Sequence, residues 1–230
     1  MRRIPFLLFG LALVARLIAW PFSDVVDADA VTRALIGESY MSYPGWIGDG
    51  VWPPLHFYLN GSFTLLFGSR ELGSVLVNVL LGSAIVFPIY FLSRRWSNDS
   101  VAIAVALLIA FDPLVFRNSL QGLSEIPFLF FFACSFNALS AAILDAPAKA
   151  ERNALTAGAF ITIAAGMRYE AWLLIGLLAL MLVLMDKRLL RWFLFTAVIF
   201  PMIWMITTGL AHGNLVKGLE HVLQWRTGPI

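Results

Sequence analysis

One cysteine, Cys134, stands alone among 230 residues and inside an apolar run. Neither a disulfide framework nor a thiolate metal cluster can be built from it, and it reads as a small hydrophobe. Charge is scarce as well. Asp, Glu, Lys and Arg make up 13% of the chain, against about 25% in soluble domains. The formal net charge of +2 leaves no basic footprint and argues against a nucleic-acid partner. The three histidines show no pair at metal-ligand spacing. There is no internal repeat and no low-complexity stretch.

What fills the chain is apolar surface: 60% hydrophobic residues and a mean hydropathy of +0.83. A soluble fold of this size cannot bury that much, so lipid must act as solvent for part of it. Apolar runs fall at residues 4–20, 72–93, 100–116, 126–144, 154–167, 171–185 and 192–210. This predicts an all-α polytopic membrane protein of about seven spans, one transmembrane domain over residues 1–230. The run after Met1-Arg2-Arg3 is interrupted by Arg16 and lacks a clean cleavage site, so it reads as a retained first span. Basic residues orient the chain. With the N-terminus inside, the short inner segments collect Arg94, Arg95, Lys149, Arg152, Lys187, Arg188 and Arg191, as cytoplasmic flanks should. The same bias makes residues 154–185 a hairpin turning at Arg168-Tyr169-Glu170 rather than one long helix. Trp20, Trp96, Trp172 and Trp192 fall at span ends, where amphipathic rings prefer to lie.

Residues 55–67 are apolar but too short to cross. Pro53-Pro54 stops a helix before them and Gly68 can cap them, which predicts a juxtamembrane helix at the outer interface. Residues 21–71 thus form one large outer loop of two or three short helices. That loop opens with Asp24, Asp27 and Asp29. A carboxylate at a helix start is held ionised by free N–H groups and the dipole, which suits a base or a metal ligand, although helix caps and solvated loop acids look the same. The second outer loop ends Ser124-Glu125-Ile126-Pro127, which plain capping would also explain. The third turn carries Arg168 and Glu170 at a depth where charge is costly and usually has a partner or a function. Arg16 reads the same way, and Asp112-Pro113 marks the outer end of the third span. His56 reads as an interface residue. Acids and arginines on one surface at headgroup depth suit chemistry on an anionic lipid, with Arg for the phosphate and a carboxylate for proton removal.

The order of motifs carries a resemblance. Asp-Ala-Val-Thr-Arg (29–33), Trp-Pro-Pro-Leu-His-Phe-Tyr-Leu (52–59), Leu-Phe-Gly (66–68), Arg94-Arg95, Ser-Glu-Ile-Pro-Phe (124–128) and Arg-Tyr-Glu-Ala-Trp (168–172) together resemble the GT-C membrane glycosyltransferases. Within these, the protein O-mannosyltransferase and aminoarabinose transferase group, glycosyltransferase family 39-like, is the most similar. The resemblance implies an inverting transfer of sugar from a polyprenyl-phosphate carrier to an acceptor hydroxyl on a protein, lipid or glycan at the outer face of the cell membrane. It matches Asp29 best to the family's catalytic acid, with Asp27 second. Arg33, Trp52, His56, Glu125, Arg168 and Glu170 would bind substrate. A divalent metal is left open, with Asp29, His56 and Glu125 as candidate ligands. Relatives often carry Asp-Glu where this chain has Asp29-Ala30 and are about twice as long, so a truncated relative is expected. Two other readings stand beside it. A transporter or lipid-carrier flippase would use Asp112, Glu125, Arg168 and Glu170 as a polar path. A non-catalytic scaffold would tolerate neutral outer aspartates.

Overall fold

The computed structural model describes residues 3–23, 27–45, 52–215 and 220, and Asp24 lies outside them. Among the described residues every regular element is helical. Helix α1 (Ile4–Ala19) ends in a 3₁₀ turn, Trp20–Phe22. Two short helices follow, α2 (Ala28–Ser42) and α3 (Leu55–Phe67). Helices α4 (Arg70–Ala84) and α5 (Val86–Trp96) run on as one 27-residue apolar stretch. Then come α6 (Asp99–Ala110), α7 (Pro113–Ser119), α8 (Glu125–Leu144), α9 (Ala150–Ala165), α10 (Glu170–Met185), α11 (Lys187–Ala197) and α12 (Ile199–His212).

Local chemistry sets these boundaries. Ser69, Asn98, Asp112 and Asp186 each accept a backbone N–H at a helix start, satisfying donors that have no intrahelical partner. Pro113 occupies the first turn of α7, where its missing N–H costs nothing. Gly68 closes α3 in the left-handed conformation at φ 65°, which a residue with a Cβ adopts only under strain. The expected juxtamembrane helix therefore has the bounds that its flanking prolines and glycine dictate.

All seven apolar runs are helical, but they are not seven equal crossings. Three helices are long and apolar enough to cross a membrane, or up to five if each bent pair is one span. The bent pairs are α6–α7, at 55°, and α11–α12, at 45°. Helices α9 and α10 have 16 residues each, short of the ~20 that a full crossing needs. They are separate helices, broken at residues 166–169. Thr196 Oγ1 donates to the Leu155 carbonyl at 2.8 Å and Phe200 N–H to Thr162 Oγ1 at 2.9 Å. Positions rise together along α9 and along α11 into α12, so α9 and α11 pack directly and in parallel, with α10 as the returning helix that joins them in sequence. Ser135 donates to the Ala157 carbonyl at 2.8 Å, and α8 packs antiparallel to α9 through a core of small residues, Ala138, Ala142, Ala150, Ala154 and Ala157. A second apolar cluster joins α1, α5 and α6 around Ala12, Val86, Tyr90, Ala102 and Ala106.

This topology sorts the charges to two ends. At one end Arg94 pairs with Asp99 at 2.7 Å, Arg95 with Asp145 at 3.2 Å, and Glu151 with Arg191 at 3.7 Å. At the other end the start of α3 meets the α9–α10 turn, where Leu55 N–H donates to the Gly166 carbonyl at 3.0 Å. There α2 lies against α3 at a crossing with no room for side chains: Gly37 and Gly61 face each other backbone to backbone, and a Cβ on Gly61 would overlap the Gly37 carbonyl. That contact fixes where α2 presents its polar face. A methyl forced into such a contact costs about 1–3 kcal/mol. Gly61→Ala is therefore expected to lower the thermal unfolding midpoint in detergent by several degrees, while Gly10→Ala, in open space, leaves it in place. Equal midpoints for all three proteins would contradict this close crossing.

Candidate functional site

Helix α2 begins at Ala28 because Asp27 caps it: Asp27 Oδ1 accepts the Asp29 N–H at 2.8 Å. One turn on, Arg33 points inward and is 4% exposed. Its Nη1 donates to Ser124 Oγ, its Nη2 stands 4.0 Å from Asp29 Oδ2, and its Cζ lies 4.9 Å from the centre of the Trp52 ring. Arg168, from the α9–α10 turn, reaches the same hydroxyl at 3.5 Å. It also pairs with Glu125 and, at 2.8 Å, with Glu170. Ser124 occupies the cap position of α8 but makes no cap bond. Its hydroxyl is where two guanidiniums from distant parts of the chain converge, so plain capping does not describe it.

The two arginines differ in what they have left to offer. Burial works against the charge of Arg168, but Glu170 and Glu125 outweigh it and raise its pKa. That fork is occupied. Burial holds the Arg33 pKa below its ordinary value, the Glu125 charge opposes this, and the Arg168 charge adds to it. Its Nε has no partner, and its one ion pair is long. Of the two, Arg33 has donor capacity for a ligand, and Arg168 with Glu125 and Glu170 forms a brace that fixes the start of α8.

His56, in the first turn of α3, is 1% exposed. Leu123 backbone comes close, yet neither ring nitrogen completes a hydrogen bond of good geometry. Burial, followed by the Arg33 charge, pushes its pKa down to about 3, so the imidazole is neutral at physiological pH. Glu125 Oε2 and Asn60 Oδ1 are likewise buried without partners. Unsatisfied buried polar atoms cost about 1–3 kcal/mol each, and native folds keep few of them outside functional sites.

The segment carrying Ser124 is held by a residue that sequence reasoning missed. Asn78, fully buried on α4, donates its side-chain amide to the carbonyls of Leu123 at 2.8 Å, Asn118 at 3.4 Å and Gln121. Asn60 adds a long bond to the Gly122 carbonyl at 3.5 Å. An asparagine inside an apolar span was the available signal. Next to this segment lies a cavity of about 400 Å³, walled by Asp27 and Ala30 of the α2 region, Ser74 of α4 and Gln121-Gly122.

Five of the expected substrate residues meet here: Arg33, Trp52 and Arg168 with Glu125 and Glu170, and His56 feels the charges of both arginines. Asp27 and Asp29 sit on the same helix start but turn apart, Asp27 into the cavity and Asp29 towards Arg33 with its side chain 57% exposed. Among the described residues no three His, Cys, Asp or Glu side chains form a group that could hold a metal ion, so Asp29, His56 and Glu125 do not assemble as a ligand set. Arg16 is fully buried and bonds carbonyls instead of an acid, Ala110 at 2.8 Å and Ala12 at 3.2 Å, with Phe116 5.0 Å away. It braces the α6–α7 bend. Asp112 is spent on capping α7.

The model of the dolichyl-phosphate-mannose-protein mannosyltransferase family matches residues 51–212, more than two thirds of the chain. No curated protein matches. No solved structure matches. The chain belongs to that family. It is an integral membrane protein of glycosyltransferase type, built from apolar helices around the polar end described above.

The neutral His56 gives a test of this electrostatic picture. Its folded pKa lies below the ordinary value of 6.5, so unfolding takes up a proton at lower pH. Stability is complete above about pH 6.5 and falls as pH drops towards 3, by at most about 1.4 kcal/mol per pH unit from this group. His56→Gln should show a shallower loss of thermal stability between pH 7 and 4.5 than the unsubstituted protein. Parallel curves would mean that His56 is not held neutral.

Proposed function

We propose that the chain is an inverting transferase that moves a hexose, mannose by the family's description, from a polyprenyl-phosphate carrier to an acceptor hydroxyl. The observation that carries this reading is the convergence of Arg33 and Arg168 on Ser124, with Glu125 paired to Arg168 and a neutral His56 within the field of both arginines, near a cavity that Asp27 and Glu71 help to line. In the reaction a carboxylate removes the acceptor proton. The acceptor oxygen attacks the anomeric carbon, the carbon–oxygen bond to phosphate breaks, and polyprenyl phosphate leaves with the bonding pair. The proton remains on the carboxyl until solvent takes it.

Each group has a physical role in that step. Arg33 offers a guanidinium with an open Nε to the phosphate, where negative charge grows. His56, uncharged and with both nitrogens free of good partners, can donate to a phosphate or sugar oxygen without itself ionising. Trp52 stacks on Arg33 and keeps its plane fixed. Arg168, braced by Glu125 and Glu170, sets the position of Ser124 and adds positive field. Between the two aspartates, geometry favours Asp27 as the base, since it faces the cavity with Oδ2 uncommitted to the cap, while Asp29 faces Arg33. We place this end at the outer face and the end holding Arg94, Arg95, Lys149, Arg152, Lys187, Arg188 and Arg191 in the cytoplasm, following the distribution of basic residues.

The test is release of polyprenyl phosphate from polyprenyl-phosphate mannose by the purified chain in nanodiscs. Asp27→Asn is expected to lower kcat by about 10²–10⁴-fold, the usual contribution of a positioned general base. Asp29→Asn is expected to act mainly on the KM for the donor, through Arg33. If both variants turn over like the parent, the carboxylate assignment is wrong. If the parent releases nothing and moves the carrier across a bilayer intact, the transferase reading gives way to a transporter.

A further inference from the structure

The end of the molecule opposite the Ser124 node holds a charged surface that the transfer reaction does not use. Helices α9 and α11 pack in parallel, and their starts lie side by side. Arg188 Nε stands 4.0 Å and Arg191 Nη2 3.7 Å from the same Glu151 oxygen. Lys149 precedes α9, Arg152 lies in its first turn, and Lys187 begins α11. All of these cations are exposed.

The acids at this end do not balance them. Asp99 is held by Arg94 at 2.7 Å and Asp145 by Arg95 at 3.2 Å. Asp186 accepts the Arg188 backbone N–H as the α11 cap. Glu151 serves both Arg188 and Arg191, at distances beyond hydrogen bonding. Exposed ion pairs of that length contribute little, so both guanidiniums remain open to an anion. Among the described residues Lys149, Arg152 and Lys187 form no ion pair.

What lies next to the charge identifies the anion. Arg188, Arg191 and Phe195 follow one another at three- and four-residue spacing, so they share a face of α11. Phe195 is 72% exposed, and the strip continues into α12 with Ile199 and Met202, 44% and 54% exposed. The opposite face of α11 is spent on packing, with Leu189, Phe193 and Ala197 buried. A soluble phosphate would need the cations alone. Cations followed within about one helical turn by uncovered hydrocarbon fit a phospholipid. Arg191 also lies over the Trp192 ring, 5.2 Å from its centre, and indoles favour headgroup depth.

We propose that the paired starts of α9 and α11 bind an anionic phospholipid, its phosphate on Arg188 and Arg191 and one acyl chain along Phe195, Ile199 and Met202. Lys149, Arg152 and Lys187 supply the field that favours an anionic headgroup over a zwitterionic one. The bound lipid fastens the start of α9, a helix of 16 residues, at a fixed depth in the bilayer. The site is independent of the transferase reading.

The test is native mass spectrometry of the full chain in micelles mixed with phosphatidylglycerol or phosphatidylcholine of identical acyl chains. Phosphatidylglycerol should bind at least about tenfold tighter, with a preference that shrinks as salt screens the cations. Replacing Arg188→Gln and Arg191→Gln together should weaken phosphatidylglycerol by about tenfold or more. Arg117→Gln, the same charge change in α7 at the other end, should leave its affinity in place. Glu151→Gln should bind phosphatidylglycerol more tightly than the parent, a gain that a misfolded variant cannot produce. Excess glycerophosphoglycerol, the headgroup without chains, should not displace the lipid. Equal binding of the two lipids, or a preference that survives the double substitution, overturns the site. Displacement by the chainless headgroup also overturns it, because the surface would then hold a soluble phosphate instead of a lipid.

Discussion

Two guanidinium groups meet on one buried hydroxyl, and the polar end of this protein is organised around that meeting. Arg33 comes from the first loop and Arg168 from the α9–α10 turn, and both reach Ser124 at the start of α8. Like charges so close repel, and the repulsion grows as water is excluded. The arrangement holds because Glu125 lies beside them, placed in the first turn of α8 where the helix dipole also favours a carboxylate. Around that node the backbone is pinned by neutral groups. Asn78 gathers the carbonyls before Ser124, and Gly37 against Gly61 brings α2 close enough for Arg33 to reach. Leaving either arginine without its carboxylates would strand a buried charge, which is far costlier than the pair is stabilising.

The membrane explains why the polar chemistry is concentrated at this end. In hydrocarbon, backbone groups must be satisfied within helices, so irregular backbone survives only where protein covers it. The breaks that carry the candidate site lie at helix ends: the α2 cap at Asp27, the segment before α8, and the turn at residues 166–169. Between the two charged ends the helices meet through alanine and glycine. Small residues let helices approach closely where no hydrophobic effect drives them together.

Much of this was legible in the sequence, and the rest was hidden for identifiable reasons. The bounds of α3 follow from Pro53-Pro54 and Gly68, and the break after α9 follows from the charge of Arg168-Tyr169-Glu170. These signals are local, so a linear reading captures them. The family too was visible, because its motifs lie in order along the chain. Of the about seven spans expected, three helices, or up to five with the bent pairs, are long and apolar enough to cross among the described residues, and hydropathy alone does not register the 55° and 45° bends. The node at Ser124 was invisible. Its three contributors lie 91 and 44 residues apart in sequence, and Ser-Glu at a helix start also spells an ordinary cap. The division of labour between the arginines was hidden for the same reason: only the fold shows that Glu125 and Glu170 occupy Arg168 and leave Arg33 open.

The central claim is that this node receives the phosphate of a lipid carrier, with Arg33 as the group that holds it. The most direct measurement is the affinity of polyprenyl phosphate for the protein in nanodiscs, beside Arg33→Gln. A hydrogen bond to a charged group contributes about 1.5–3 kcal/mol, so the account predicts a loss of affinity of at least tenfold. Equal affinities in a variant that keeps its unfolding temperature would contradict it and move the carrier's phosphate elsewhere in the molecule.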